Sequence, residues 1–294
     1  MSAAAIAKAL GGYASTSGWH RSRCPVHGGT SWTLSLRDGA SGLVVKCFAG
    51  CSRADILDEL ENLFVLEEDE EKDLSAAVAA TGWQEVDAVQ RQLRIDNALY
   101  LWNETVDPAG TAVEVYLWSR RLYVPLPLTI RLHRSLYHRE SGERRPAMVA
   151  LVEHADRGPV AIHCTYLAPD GSAKATVSPS RKCFGPVGGG GVMLRTGPPD
   201  GWLVVGEGVE STLSAMQMWH CPEGLAAVSA NGMRDAKLPP SADRVCIAVD
   251  NDANGIGQAA ARDAVWLWEQ EGRTVRAVLP KEQDSDFNDI LRRF

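Results

Sequence analysis

The last third of the chain alternates short apolar stretches with longer amphipathic ones, and this alternation restricts the fold more than any other feature. Four segments have the length and composition of buried strands: 202–206, 225–229, 245–249 and 274–279. Helical patterns at 209–219 and 255–271 separate them. Strands that alternate with helices of this length predict an α/β domain with a doubly wound, mostly parallel sheet.

Acidic residues follow three of these predicted strands. Glu207 comes after the first, Asp250 and Asp252 come after the third, and Asp284 and Asp286 come shortly after the last. Ligands of parallel sheets bind beyond the carboxyl ends of the strands, so we expect these carboxylates to share one crevice. Clustered carboxylates repel one another, and a hard cation such as Mg²⁺ or Mn²⁺ neutralises them. The alternative is that these acids cap helices, a role open to Asp252.

A second pattern of potential metal ligands lies near the N-terminus. Cys24 and His27 form one close pair, and after nineteen further residues Cys47 and Cys51 form another. A strand–turn–strand pattern fills the interval. Four N and S donors at these separations are typical of tetrahedral Zn²⁺, and so small a unit needs a metal because its own core is thin. We predict a zinc-ribbon-like module; the alternative is a pair of free thiols beside an unrelated histidine.

The charge is distributed unevenly along the chain. The net charge is −7, yet residues 59–90 hold ten acids against one lysine, whereas residues 91–199 hold fourteen Lys/Arg against nine acids. The acidic stretch is typical of a solvated linker. The basic stretch predicts an α+β subdomain with strands at 149–153, 160–167 and 173–177. Because the local field steers a ligand, the acidic total does not exclude a polyanionic partner.

Arginines are frequent in the basic segment and are candidates for phosphate contacts, although each one alone is equally well explained as a solvated surface charge. They are Arg120, Arg121, Arg131, Arg134, Arg139, Arg144 and Arg145.

Several classes of protein are excluded or disfavoured by the sequence. No apolar run approaches the ~20 residues that span a bilayer, so we expect no membrane association. We expect no secretory signal, and seven cysteines, an odd number, favour a reducing compartment, which predicts a cytoplasmic protein. The sequence lacks the Gly-Lys-Ser/Thr of a nucleotide-hydrolysing P-loop, so any helicase that acts with this chain is a separate partner.

Two of these motifs resemble a known family. Residues 204–210 (VVGEGVE) and 248–252 (AVDND), followed by Asn254-Gly255, resemble the Toprim domain shared by primases, topoisomerases and certain nucleases. The Cys/His module resembles the zinc-binding domain that precedes Toprim in bacterial-type DNA primases. The order of the segments is similar to that of compact primase-like proteins of phages and plasmids. It implies a zinc module at 1–64, an acidic linker at 65–84, a basic α+β subdomain of the primase core at 85–199 and a Toprim domain at 200–294.

The resemblance implies roles for individual acids. Glu207 occupies the place of the family's glutamate, which helps to bind metal and shuttles a proton. Asp250 and Asp252 match its Asp-x-Asp metal ligands. Asp284 and Asp286 match a second Asp-x-Asp, with Asp286 and Asp289 as the alternative alignment of that motif. Lys174, Arg181 and Lys182 resemble the segment that lines the nucleotide site, although the tyrosine and asparagine of that segment are absent here.

Taken as a whole, the resemblance implies a DNA primase that makes short RNA primers from nucleoside triphosphates on single-stranded DNA by two-metal nucleotidyl transfer. Zinc would be structural and magnesium or manganese catalytic. Trp19, Trp32 and Arg21 of the zinc module would hold the template, unless the tryptophans pack around the metal. The alternatives are a metal-dependent Toprim nuclease and a non-catalytic DNA-binding replication or recombination factor.

Overall fold

The computed structural model describes residues 2–13, 18–28, 32–39, 42–64, 83–228 and 230–294. The chain divides into two compact units, Met1–Leu93 and Arg94–Phe294. Most of the predicted acidic linker, residues 65–82, lies outside the described residues. Across the described ranges, no helix is both long enough and apolar enough to pass through a membrane.

The N-terminal unit is a three-stranded antiparallel sheet, in the order β1-β2-β3, accompanied by helices. Its elements are α1 (Ala3–Ala9), β1 (His20–Ser22), β2 (Leu34–Gly39), β3 (Gly42–Cys47) and α2 (Arg53–Phe64). The Ser2 hydroxyl caps α1 by accepting a hydrogen bond from the Ala5 N–H. The core is small and includes Ile6, Leu34 and Ile56 together with Cys24. A core of this size supplies little stability on its own, which agrees with the expectation of a metal-stapled unit.

The second unit is built on one nine-stranded mixed sheet, in the order β12-β11-β9-β10-β8-β5-β6-β7, with β4 paired to β5. Its strands are β4 (Ile130–His138), β5 (Glu143–His154), β6 (Gly158–Tyr166), β7 (Arg181–Phe184), β8 (Gly190–Arg195), β9 (Trp202–Gly206), β10 (Glu223–Ala226), β11 (Arg244–Ala248) and β12 (Thr274–Val278). Its helices are α4 (Ala112–Ser119), α5 (Val209–Trp219), α6 (Ala230–Asp235), α7 (Ile256–Gln270) and α8 (Phe287–Leu291), and α3 (Trp83–Asn103) leads into it.

Strands β9 to β12 form the predicted parallel sheet. Neighbours β12–β11, β11–β9 and β9–β10 are all parallel, whereas β10 pairs with β8 antiparallel. Side chains of β9 alternate between two apolar clusters, with Val204 in one and Leu203 and Val205 in the other. Both faces of the strand are therefore covered, and this is why its sequence is continuously apolar rather than alternating.

The middle segment departs from the predicted strand pattern after β6. The sequence predicts a strand at 173–177, but the structure has only an isolated bridge between Leu167 and Lys174 before the chain returns as β7. The Asp170 carboxylate accepts hydrogen bonds from the backbone N–H and hydroxyl of Ser172, which closes a tight turn. Pro179 has no N–H to continue a ladder. The segment that carries Lys174 is thus a loop crossing the end of β6.

Candidate functional site

The turn between β9 and α5 places Glu207 beyond the end of the sheet. A Cβ atom on Gly206 would lie 2.5 Å from the Thr212 hydroxyl, so only glycine allows the strand to approach the helix this closely. Gly208, the N-cap of α5, has no side-chain capping bond. Glu207 therefore lies between two glycines at the carboxyl end of a central strand, where ligands of parallel sheets bind.

Carboxylates from three strand ends meet at a cleft of about 110 Å³. Glu207, Asp250 and Asp286 line it. The Ser211 hydroxyl donates a 2.9 Å hydrogen bond to Asp250 Oδ1. Burial raises the pKa of Asp250 to about 7, and the nearby Asp286 and Glu207 carboxylates add to this rise. Carboxylates that oppose one another's ionisation in this way form an environment that favours a bound cation.

Asp286 also forms capping hydrogen bonds, and the remaining predicted acids lie near the cleft without lining it. Asp286 caps α8 by accepting the Asp289 N–H at 2.8 Å, and the Asp289 carboxylate accepts the Asp286 N–H in return. Asp284 Oδ1 accepts the Ala253 N–H at 2.9 Å. Asp252 is exposed and lies outside the cleft, although its charge contributes to the raised pKa of Asp250. The second Asp-x-Asp was either Asp284 with Asp286 or Asp286 with Asp289. Of these three residues, the structure brings Asp286 into the cleft.

The opposite side of the cleft is basic. Arg120, Lys174 and Arg181 line it together with Glu210, a residue that is only 5% exposed. Lys174 Nζ lies 2.9 Å from Glu210 Oε1, and the Tyr116 hydroxyl donates to the same oxygen at 2.7 Å. Burial alone would raise the pKa of Glu210, but Lys174, Arg181 and the Tyr116 hydroxyl outweigh it and hold that pKa well below its usual range. Lys174 and Arg181 thus both stabilise one ionised carboxylate.

Two of the predicted phosphate-binding residues do not reach this cleft. Lys182 follows Arg181 on β7 and points to the other face of the strand, where its ammonium pairs with Glu140. Arg121 is exposed, with a positive φ of 58°, and its carbonyl accepts a hydrogen bond from Gln217 Nε2 at 2.9 Å. Because successive side chains along a strand point to opposite faces, Lys182 and Arg181 lie on opposite faces of β7.

Four polar residues of the cleft were not indicated by the sequence patterns: His163, Glu210, Ser211 and Asn288. Glu210 and Ser211 follow Glu207 within the first turn of α5, and the polar run Glu-Ser-Thr beside an apolar helix face was the available signal. Asn288 Nδ2 donates to the Arg120 carbonyl at 2.9 Å and the Ser214 hydroxyl at 3.0 Å. His163 lies within an apolar strand, and only the tertiary structure shows which space it faces.

The N-terminal unit brings the predicted metal ligands together. One ligand atom from each of Cys24, His27, Cys47 and Cys51 lies within 4.8 Å of all the others. His27 Nδ1 is 3.1 Å from Cys51 Sγ, and His27 Nε2 is 3.1 Å from the Thr33 hydroxyl. The nearby Cys51 thiol lowers the pKa of Cys24 to about 4, which favours the thiolate, the form that ligates metal.

The Cys/His cluster and the cleft carboxylates suit different metal ions. Three sulfurs and one imidazole nitrogen at these separations fit a tetrahedral Zn²⁺, with Thr33 orienting the imidazole from behind. Within the part of the chain that the structure describes, no other group of at least three such side chains is gathered this closely. The carboxylates of the cleft instead fit Mg²⁺, which keeps several waters and is held by one or two carboxylates together with substrate phosphates.

Exposed aromatic and basic side chains are interleaved on the surface of the N-terminal unit. Trp19 and Trp32 are exposed rather than enclosed around the Cys/His cluster. The Arg21 guanidinium lies 4.5 Å from the ring centre of Phe48, and that of Arg37 lies 4.8 Å from the ring centre of Trp19. Such a surface offers both stacking partners for bases and positive charge for a phosphate backbone.

Comparison with known proteins adds family information to this geometry. Residues 202–294 match the model of the Toprim domain, and residues 92–194 match a domain of unknown function (DUF7146). A search of the curated proteins finds no significant match.

Two solved structures are similar in fold. The primase fragment of the Bacteriophage T7 primase-helicase protein aligns with a TM-score of 0.38 and 13% identity, over 61% of this chain and 65% of the fragment. The chain therefore spans slightly less than two thirds of that fragment. The E. coli primase catalytic core aligns with a TM-score of 0.36 and 12% identity, over 69% of this chain and 75% of the core. The Toprim resemblance expected from the sequence is confirmed by this match, and the chain carries a Toprim domain at residues 202–294.

Proposed function

We propose that this chain is a DNA primase, which joins nucleoside triphosphates into short RNA primers on a single-stranded DNA template. The observation that carries the proposal is the single cleft where Glu207 and Asp250 face Lys174 and Arg181. Nucleotidyl transfer needs cation-binding carboxylates and phosphate-binding side chains within reach of one reacting phosphorus. Hydrolysis of a strand by a Toprim nuclease would use the same carboxylates but needs no module for holding a template.

The chain's own residues divide the work of this reaction. Asp250, held by the Ser211 hydroxyl, and Asp286, held by its capping bonds, are fixed in position to bind a hydrated divalent cation. Glu207, between two glycines, is placed to share that cation and to move a proton from the primer hydroxyl. A bound Mg²⁺ or Mn²⁺ would supply Lewis-acid activation of the attacking hydroxyl and charge neutralisation at the triphosphate.

The basic side of the cleft would hold the triphosphate. Lys174, Arg181 and Arg120 surround Glu210, and their combined positive charge exceeds what this one carboxylate neutralises. Phosphate oxygens are the anions that complete such a set, and fixed cations around the transferring phosphorus stabilise the charge that develops in the transition state. Lys182 and Arg121, which point elsewhere, would take part only in contacts outside the cleft.

The N-terminal unit would hold the single-stranded template. Zn²⁺ on the Cys/His cluster would fix the hairpin of β2 and β3, from which Arg37 and neighbouring basic side chains project. Trp19 and Trp32 offer faces on which bases stack, and stacking tolerates any sequence. Residues 1–294 contain no P-loop, so the helicase activity that opens the duplex would come from outside these residues.

The test is a priming reaction with end-labelled single-stranded DNA, ribonucleotides carrying a second label, and Mg²⁺. The full chain is compared with Asp250→Asn and with a matched control, Asp263→Asn. Asp263 is an exposed acid on α7 that pairs with Arg234 at 2.8 Å and lies outside the cleft. We expect new short oligonucleotides from the wild type and from Asp263→Asn, and a loss of at least ~100-fold in Asp250→Asn.

Each other outcome contradicts the proposal in a recognisable way. Template that is shortened without new product would indicate the nuclease, with the same dependence on Asp250. Template that is bound but unchanged, with no new product under any metal, would indicate a non-catalytic DNA-binding factor. Product formation that survives Asp250→Asn would place the chemistry outside this cleft.

A further inference from the structure

A histidine lies at the basic side of the cleft without a role in the machinery described so far. His163 is on β6, where side chains alternate between the two faces of the sheet. Ile162 and Cys164, its neighbours, belong to the apolar cluster on one face. His163 points the opposite way and lines the cleft beside Lys174 and Arg181. Across the ladder it pairs with Cys183 of β7, two residues from Arg181.

The imidazole of His163 is buried but incompletely bonded. Only 7% of the residue is exposed, and its Nδ1 has no hydrogen-bond partner among the described residues. Buried polar atoms in folded proteins are almost always bonded, so an unbonded ring nitrogen on a residue that lines a cleft marks a position for a ligand atom. Burial lowers the pKa of His163 to about 4, which means that the ring is neutral and carries one N–H at physiological pH.

The surrounding charges define what this atom can bind. The nearest carboxylate, Glu210, is already engaged by Lys174 and by the Tyr116 hydroxyl. Lys174 and Arg181 both act on His163 as positive charges, so the part of the cleft beside its ring favours a negative group. A neutral imidazole with its proton on Nδ1 donates a hydrogen bond to such a group, and the flanking cations balance the charge.

We propose that His163 is a phosphate-binding residue, whose Nδ1–H donates to a phosphate oxygen held between Lys174 and Arg181. This proposal deepens the proposed function and rests on it for the source of the phosphate. The oxygen belongs to a nucleoside triphosphate or to the backbone of a bound strand, and the two sources share the same oxyanion chemistry. His163 contacts the ligand directly, in contrast to Tyr116, which acts only through Glu210.

Two ligands separate the two sources in a calorimetric titration of the full, zinc-loaded chain with Mg²⁺ present. Inorganic tripolyphosphate represents the triphosphate, and a ten-residue oligothymidylate represents the strand. The variants are His163→Leu, which removes the donor, and His163→Asn, whose Nδ2 can occupy the place of Nδ1. The matched control is His154→Asn on β5, where Nδ1 instead accepts the Asp156 N–H at 3.1 Å.

For the ligand that uses this site, we expect His163→Leu to weaken binding by ~10-fold or more, the usual effect of losing a hydrogen bond to a charged group. His163→Asn should retain affinity within ~3-fold of wild type, because the amide donor restores the bond. His154→Asn should bind like wild type. A loss confined to tripolyphosphate identifies the triphosphate, and one confined to the oligonucleotide identifies the strand; either supports the proposal.

A second measurement does not depend on the folding of any variant. In wild-type protein with ¹⁵N-labelled histidine, the Nδ1 resonance of His163, assigned through its loss in His163→Asn, should shift when the ligand saturates. Ligand binding that leaves this resonance unmoved, or that His163→Leu does not weaken, overturns the proposal. Failure of both ligands to bind wild type overturns it as well. Absence of priming alongside binding that depends on His163 would instead overturn only the primase function.

Discussion

The buried contact between Lys174 and Glu210 allows a quantitative prediction, because its two partners are not equivalent. Lys174→Met removes one cation and leaves Glu210 bonded to Tyr116 and facing Arg181. Glu210→Gln removes the carboxylate that both Lys174 and Arg181 stabilise. Breaking a buried pair typically costs ~3–5 kcal/mol, because the remaining charge is uncompensated. We expect Glu210→Gln to lie in that range, and Lys174→Met to cost only about 2 kcal/mol since other partners remain.

The assay is urea unfolding at pH 7, followed by circular dichroism, for wild type, both single variants and the double variant. The double variant should be less destabilised than the sum of the single variants by about 1–3 kcal/mol, since neither partner is then left unpaired. The reasoning is refuted if Lys174→Met destabilises as much as Glu210→Gln, or if the two effects add. Equal effects would mean that Arg181 does not stabilise this carboxylate, and additive effects would mean that Lys174 and Glu210 are not coupled.

The same carboxylate gives a dependence on pH whose sign follows from its lowered pKa. Burial opposes ionisation of Glu210, but Lys174, Arg181 and Tyr116 outweigh it, so the folded pKa lies below the unfolded value of ~4.3. The stabilisation is therefore present above that unfolded value and is lost as the pH falls through the folded pKa. The stability difference between wild type and Glu210→Gln should persist from pH 7 to pH 5 and shrink below pH 4.

Three further predictions concern packing and metal binding. Gly206→Ala should destabilise by about 1–3 kcal/mol in urea unfolding because its Cβ would overlap the Thr212 hydroxyl, whereas Gly208→Ala, with open space around it and a negative φ, should unfold like wild type. Cys47→Ser should release the zinc measured by atomic absorption, and Cys183→Ser, outside the cluster, should retain it; equal metal content would contradict the assignment. Thr33→Val should weaken zinc affinity by ~10-fold in a chelator competition, and unchanged affinity would exclude a role in orienting His27.

The parts of the fold that the sequence predicted are those in which one residue pattern has one structural solution. Continuous apolar segments predicted β9 and β11, and Glu207 and Asp250, which follow them, lie at the cleft because parallel strands end at the same edge. The Cys/His spacing likewise placed four donors together, since metal ligands must converge wherever the chain goes between them.

The parts that the sequence did not predict depend on contacts between distant segments. Lys174 reaches Glu210 because its segment forms a loop rather than the expected strand, and nothing local to it indicates a partner thirty-six positions away. The sequence alone does not distinguish Lys182 from Arg181 as cleft residues, because only the register of β7 decides which face of the sheet each side chain occupies. His163 shows the same limit, since a polar residue in an apolar strand gives no sign of what lies opposite it.

The cleft joins two groups of like charge that are each unfavourable by themselves. Burial and the neighbouring carboxylates raise the pKa of Asp250, and burial together with the nearby Arg181 and Arg120 charges lowers the pKa of Lys174. A divalent cation would reduce the repulsion among the carboxylates, and a polyphosphate would reduce the repulsion among the cations. The ligand that reduces both is a polyphosphate carrying its own metal. Since such a complex relieves both repulsions at once, each component should strengthen binding of the other by the same factor. A phosphodiester backbone, with one negative charge per phosphate, complements only the basic group. The charge arrangement therefore favours a polyphosphate that carries its own metal over a phosphodiester backbone as the occupant of the proposed site.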